Sequence, residues 1–291
     1  MSQAEGGVKT RAETTGDNWN ISDWGDSSTV TWPTSQTSPS MLCTAEGTIN
    51  STVQYQDYDA EWKIKCTDGS NAWYYTAPPD QDDCRLYVVL DTPTAPQATP
   101  WLAVLDQAVR WAEGEDSEAD ALHEITSGLN GCGLDYVGGP QYSSFTSFDD
   151  QKFDLTQWLA DEPWDNDTGN CADMGNLVHI YGNAIGASAQ YLVKDGVSGN
   201  RVPGCFDTNY LDPVGSPGWN TTCWNYHQFG WADSKVYDAS CKVDSDGSPE
   251  SAPHTALLPT KLTEATFKSY VVKSGEDWTT VTGTPTVCEV E

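Results

Sequence analysis

The 291-residue sequence predicts an α+β protein whose first part is a small β-rich module. The prediction rests on where the apolar period changes. Up to about residue 90, apolar and polar residues alternate in short runs separated by turn signals, as half-buried strands do. From Trp101 the apolar spacing becomes three and four, the period of a helix, and strands return beyond Gly186. Thr92-Pro93-Thr94-Ala95-Pro96 separates these regimes and reads as a stiff linker. Two domains follow, 1–95 and 96–291, in keeping with the length.

Residues 1 to about 40 are rich in Ser, Thr, Gly, Asp and Trp and read as an irregular arm with one or two edge strands. Strands are expected at Val53–Gln56, Ala60–Cys66, Asn71–Tyr75 and Arg85–Leu90, together a small sandwich. Trp101, Leu102, Val104, Leu105, Ala108, Val109 and Ala112 stripe one helix. A second runs from Ser117 to about Leu129, opened by a Ser-Glu pair and closed by Gly131. Phe153–Leu159 is a short helix, and Asp161–Asn170 a loop. A buried helix then begins at Cys171 and ends at Gly186. Strands are expected at Ala189–Val193, Thr222–Phe229 and Lys235–Ala239, the last two joined by a turn over Gly230–Ser234. Asp244–Pro253 is a loop and Phe267–Val272 a final strand.

Composition limits the function. Net charge is −29, from 43 acidic and 14 basic residues, so nucleic acid and anionic lipid are poor partners. No run approaches the roughly 18 apolar residues that membrane insertion needs. The nine cysteines form no Cys-x-x-Cys pair and point to disulfides and a secreted, extracellular protein. The first residues carry neither a basic n-region nor an apolar h-region, so a signal peptide is absent from this sequence. Four bridges among Cys43, Cys66, Cys84, Cys132, Cys205, Cys223, Cys241 and Cys288 would leave Cys171 unpaired. Eight cysteines allow about 105 pairings; the near-symmetric setting of Cys223 and Cys241 around the expected hairpin favours that bridge.

Cys171 carries the chemistry. At the first turn of a buried helix, unpaired N–H groups and the positive end of the dipole favour thiolate over thiol. His227 and Asp238 follow on consecutive strands, and neighbouring strands lie only ~4.8 Å apart. An imidazole can take the thiol proton and return it to a leaving group, while a carboxylate fixes the ring. The backbone N–H of Cys171 is one donor to a developing oxyanion, and Gln141, Tyr142 or the Trp164 indole is a candidate second.

Other features have plainer readings. His179, eight residues along the same helix, reads as a packed histidine, His123 as decoration of an amphipathic helix, and His254 as a loop residue. No histidine spacing suggests zinc, so no metal site is expected. Asp173 reads as a first-turn cap or a substrate contact. Asp244-Ser245-Asp246-Gly247 opens like a calcium loop without the distal glutamate, and Asp165-Asn166-Asp167 is another acidic loop. Ca²⁺ is compatible with the sequence but not required by it, and no other cofactor is expected. Trp62, Trp73, Tyr74 and Tyr75 could form a platform that stacks on sugar rings, giving the N-terminal module carbohydrate or cell-wall contact, although core packing is the commoner use.

Short blocks within 96–245 resemble the transglutaminase-like cysteine-enzyme superfamily. Gly169-Asn170-Cys171, with Ala184-Ile185-Gly186-Ala187 closing its helix, resembles the family's nucleophile segment. Trp224-Asn225-Tyr226-His227 resembles its histidine stretch, and Val236-Tyr237-Asp238-Ala239 its aspartate strand. The resemblance implies a papain-like domain with helices packed on an antiparallel sheet. It also implies Cys171 as nucleophile, His227 as general base and acid, Asp238 as orienting group, and a thioester acyl-enzyme formed from a protein or peptide amide. Ala172 stands where cross-linking members carry Trp, Gln190 stands near the position of a frequent Arg, and Gln228-Phe229 displace an aromatic. These departures leave hydrolysis and acyl transfer both open. The alternative is an inactive extracellular module that keeps the fold and binds protein or carbohydrate.

Overall fold

A computed structural model describes residues 7–15, 23–24, 30–31, 45–46, 51–66, 73–75, 82–137, 143–147, 152–162, 167–196, 204–215, 223–245, 256–280 and 286–291. The chain is α+β and divides into two compact units, Met1–Val88 and Val89–Glu291.

In the first unit, β1 (Gly7–Thr15) lies antiparallel along one edge of β2 (Gln54–Cys66), with Val8 opposite Cys66 and Thr15 opposite Asp59. β3 (Trp73–Tyr75) and β4 (Asp82–Val88) pair with the other edge of β2. Short strands at Asp23–Trp24, Val30–Thr31 and Ala45–Glu46 complete one seven-stranded sheet, where the sequence suggested a sandwich. The expected irregular arm thus contains a central strand. The strands expected at 53–56 and 60–66 are one continuous strand. Asp57 reads as a break, yet it sits directly opposite Arg85, whose Nη2 donates to Oδ2 at 2.7 Å. The side-chain platform of Trp62, Trp73, Tyr74 and Tyr75 lies outside the described residues.

The second unit begins before the expected linker ends. Leu90 N donates to Ile185 O at 2.9 Å and Thr94 N to Asn183 O at 3.1 Å, so the Pro-rich stretch is bound to the unit. Gly186 makes this possible. Its φ is +87°, and a Cβ there would stand 2.2 Å from the Asp91 carbonyl oxygen.

Helices α1 (Leu102–Trp111) and α2 (Glu118–Asn130) bury Val104, Ala108 and Val109, and Ala121, Leu122, Ile125 and Leu129. Ser117 caps α2 by accepting from Asp120 N at 3.2 Å. The short α3 (Leu155–Ala160) is capped by Asp154. Helix α4 (Cys171–Ala184) is buried along its whole length. It lies on an antiparallel sheet made of β5 (Gln190–Gly196), β6 (Tyr226–Ala232), β7 (Lys235–Tyr237), β8 (Thr260–Leu262) and β9 (Trp278–Thr280), in spatial order β8-β7-β6-β5-β9.

Two glycines set the distance between α4 and β6. A Cβ on Gly175 would lie 2.9 Å from Gln228 Cγ, and one on Gly230 would lie 2.4 Å from Val178 Cγ1. Gln228 and Gly230 therefore face α4. By strand alternation His227 and Phe229 face the other side, into a core with Phe206, Trp224, Phe267 and Trp278. Each such aromatic contributes roughly 1.5–3 kcal/mol by leaving water.

Of Phe267–Val272, read as a strand, Val272 is an extended C-cap that bridges to Thr208, and all the other residues belong to helix α5 (Glu264–Val271). Thr263 caps it, accepting from Thr266 N at 3.2 Å, and a short apolar run alone does not separate the two states. Lys194, opposite His227 in β5, is buried and pairs with Glu264 Oε1 at 2.5 Å, which ties the first turn of α5 to the sheet. The β6–β7 turn is only Asp233-Ser234, at φ 45° and 59°, as a two-residue hairpin of the primed kind requires.

Cys223 is bridged to Cys205, with Cα atoms 5.6 Å apart, and not to Cys241. Cys241 and Cys288 are buried thiols, so the expected four-bridge scheme does not hold. Cys171 is unbridged, as expected. Among the described residues, no helix is long and apolar enough to cross a membrane.

Candidate active site

Asn170 starts α4. Its Oδ1 accepts from Ala172 N at 2.8 Å and from Asp173 N at 3.4 Å, and Asp173 Oδ2 accepts from Asn170 N at 3.1 Å, so that Asn170 and Asp173 form a reciprocal capping box. Cys171 is thus the first helical residue, and its side chain is 2% exposed. The helix tip is joined to the start of β6. Asn170 Nδ2 donates to Tyr226 Oη at 3.1 Å, and Gln228 Nε2 donates to Ala172 O at 3.2 Å and Asn176 Oδ1 at 2.8 Å.

Asp173 is a capping and loop-gathering residue. Besides Asn170 N it accepts from Ser143 Oγ at 2.6 Å and Thr146 N at 2.8 Å, with Ser144 N and Phe145 N at 3.2 Å. Burial raises its pKa, against these bonds.

His227 lies fully buried on the β6 face away from α4, its ring stacked on the Trp224 indole with centroids 4.4 Å apart. Its Nε2 donates to Asp238 Oδ2 at 2.8 Å. Asp238 Oδ1 accepts from Ser240 N at 2.9 Å and Ser240 Oγ at 2.6 Å, which fixes the carboxylate plane. The register explains the meeting. Gly230 is opposite Tyr237, so extending the ladder puts Asp238 across from Phe229, one diagonal step from His227 on the same face.

Burial pushes the His227 imidazole down, but the charge and hydrogen bond of Asp238, followed by the Cys171 sulfur, outweigh it and raise the pKa to about 9. Nδ1 makes no hydrogen bond of ordinary geometry, yet Cys171 is close enough to act on the ring. The interaction is therefore a close approach of sulfur and imidazole without a formed bond.

The sulfur has other neighbours that sequence reading missed. Tyr136 and Tyr226 both lie close enough to feel it, and both phenols are raised, first by burial and then by its charge. Cys241 Sγ donates to Asp238 Oδ2 at 3.4 Å, and burial together with Asp238 holds that thiol well above its usual range. Tyr226 was findable as the residue beside His227. Cys241 was hidden by its reading as half of a bridge, and nothing in the sequence around Tyr136 marks it.

His179 is a packed residue. Nδ1 lies 3.2 Å from Gly175 O and Nε2 accepts from Cys288 N at 3.2 Å, so the ring is neutral with its proton on Nδ1; burial lowers its pKa to about 4. His123 Nδ1 meets Thr260 Oγ1 at 2.6 Å. Gln141, Tyr142, Trp164, His254 and the acidic loop residues Asp165, Asn166, Asp246 and Gly247 lie outside the described residues.

His227, Asp238 and Cys241 offer ligand atoms within 4.8 Å of one another and are the described residues that could hold a metal ion. Their donor set fits poorly. Nε2 and Oδ2 are at mutual hydrogen-bond distance, and the Cys241 thiol is held protonated. No protein-family model matches the chain, and a comparison with curated proteins returns no match.

Proposed function

We propose that the chain is a secreted cysteine hydrolase or acyltransferase of transglutaminase-like type, acting on amide bonds of protein or peptide substrates. The observation that carries this reading is the Cys171 sulfur beside an imidazole already bonded to Asp238. The Cys205–Cys223 bridge supports export to an oxidising compartment.

In the proposed cycle, His227 takes the proton of Cys171 Sγ on Nδ1 while Nε2–H stays on Asp238. The sulfur attacks the amide carbon and its π electrons move to oxygen. The oxyanion collapses, the C–N bond breaks, and Nδ1 protonates the departing amine, which leaves a thioester. Water or a second amine, deprotonated by Nδ1, attacks that thioester, and the thiol departs with the proton returned. The raised pKa of His227 suits it to hold the proton between these steps. The experiment offers a glutamine-containing peptide with and without a fluorescent primary amine, and measures ammonia release, cleavage and amine incorporation. Activity is expected in the native chain and its loss in Cys171→Ala. Activity retained by that variant contradicts the reading.

A second reading has one observation in its favour. A sulfur 2% exposed suits a silent module that keeps the fold and binds protein or carbohydrate. In that case, Cys171 in the folded chain resists alkylation.

A further inference from the structure

The Tyr226 and Tyr136 phenols both stand close enough to Cys171 to feel its sulfur, and the cycle above uses neither. Tyr226 is held by the helix cap. Asn170 spends Oδ1 on Ala172 N and donates from Nδ2 to Tyr226 Oη at 3.1 Å. The phenol oxygen therefore accepts on that side, which leaves its own proton to point away from Asn170; the Cys171 sulfur is among the groups that act on it. Tyr136 arrives from a different element. It pairs in parallel register with Gly169, two residues before Cys171, its N donates to Val214 O at 2.8 Å, and its ring stacks with the Trp224 indole at 6.4 Å. That indole also carries the His227 ring. Backbone pairing, stacking and the cap bond thus hold both phenols beside the helix tip that carries Cys171.

We propose that Tyr226 and Tyr136 are catalytic donors that hold the charge of the Cys171 sulfur and pass with it to the substrate oxygen. The proposal rests on Cys171 being the nucleophile. When sulfur bonds to a carbonyl carbon, the negative charge moves to an oxygen on that same carbon, within reach of donors that stand beside the sulfur. On collapse the charge leaves the oxygen and the donors relax. No proton is transferred by either tyrosine. Burial keeps both phenols protonated across the working range, as donors must be. With the backbone N–H of Cys171 they supply the oxyanion contacts.

The test uses the full chain, non-reduced, as native protein, Tyr226→Phe, Tyr136→Phe and the double variant, with Tyr270→Phe as a control outside the site. Two probes separate sulfur from oxygen. Iodoacetamide alkylates the thiolate without forming an oxyanion, and its rate is read by mass against pH. The peptide aldehyde acetyl-Phe-glycinal adds the thiol reversibly across its C=O, and the resulting thiohemiacetal oxygen needs donors. Each single variant is expected to move the alkylation profile up by about one pH unit and to weaken aldehyde protection about tenfold, with a larger effect in the double variant. Tyr270→Phe matches the native chain. If both single variants match it on both probes while Cys171 still alkylates, the donors are refuted and the nucleophile stands. If Cys171 of the native chain does not alkylate, the nucleophile reading falls and this proposal with it.

Discussion

Nε2 of His227 donates to Asp238 Oδ2 at 2.8 Å, and their side chains are 0% and 1% exposed. A hydrogen bond so enclosed fixes which ring nitrogen is engaged. Nδ1 is left without a hydrogen bond, and the Cys171 sulfur is close enough to act on the ring.

Asp238→Asn keeps the shape and removes the charge that holds the His227 pKa near 9. The ring is then free to adopt the other tautomer. Turnover is expected to fall about 10²–10⁴-fold, and the His227 proton resonance to titrate well below its native midpoint. Turnover and titration like those of the native chain would remove Asp238 from the site.

The two buried histidines act in opposite directions with pH. His227 is raised in the folded state, so its contribution to stability is complete below about 6.5 and is lost as pH rises through about 9. His179 is lowered to about 4, so its neutral form is favoured above about 6.5, and stability falls by about 3 kcal/mol as pH drops from there through 4. Denaturant melts across this range should show both losses, and His179→Gln should flatten only the acid side. An unchanged acid slope in that variant would exclude His179 as its cause.

Gly230→Ala drives a methyl into Val178 and toward the Tyr237 carbonyl oxygen, 2.9 Å from the new Cβ. The expected cost is about 1–3 kcal/mol, with slower alkylation of Cys171 because α4 must move. Val178→Ala in the same chain should restore part of both. A double variant no better than Gly230→Ala would place the strain elsewhere.

Local signals made much of the site legible. Asn170 and Gly186 mark the ends of α4 as a polar cap and a left-handed stop should, and Cys171 falls at the helix start for that reason. The β6–β7 hairpin was expected three residues too wide at its turn because Gly230 looks like a turn residue. It is a strand glycine that admits Val178. Phe267–Val272 misled because its helix is decided by the Thr263 cap and by Lys194 from a distant strand. Bridges, the strand through Asp57 and the two phenols on the sulfur depend on partners far along the chain, which a local reading does not contain.

The central claim is that one thiol in the folded, non-reduced chain is activated. Cys241 and Cys288 give the contrast, since burial raises the first far above its usual range and the second to about 12. Iodoacetamide at neutral pH, followed by peptide mapping, should modify Cys171 far faster than either, and His227→Ala should slow that labelling without unfolding the chain. Labelling of Cys171 no faster than Cys241 or Cys288, or unaffected by loss of His227, would contradict the account.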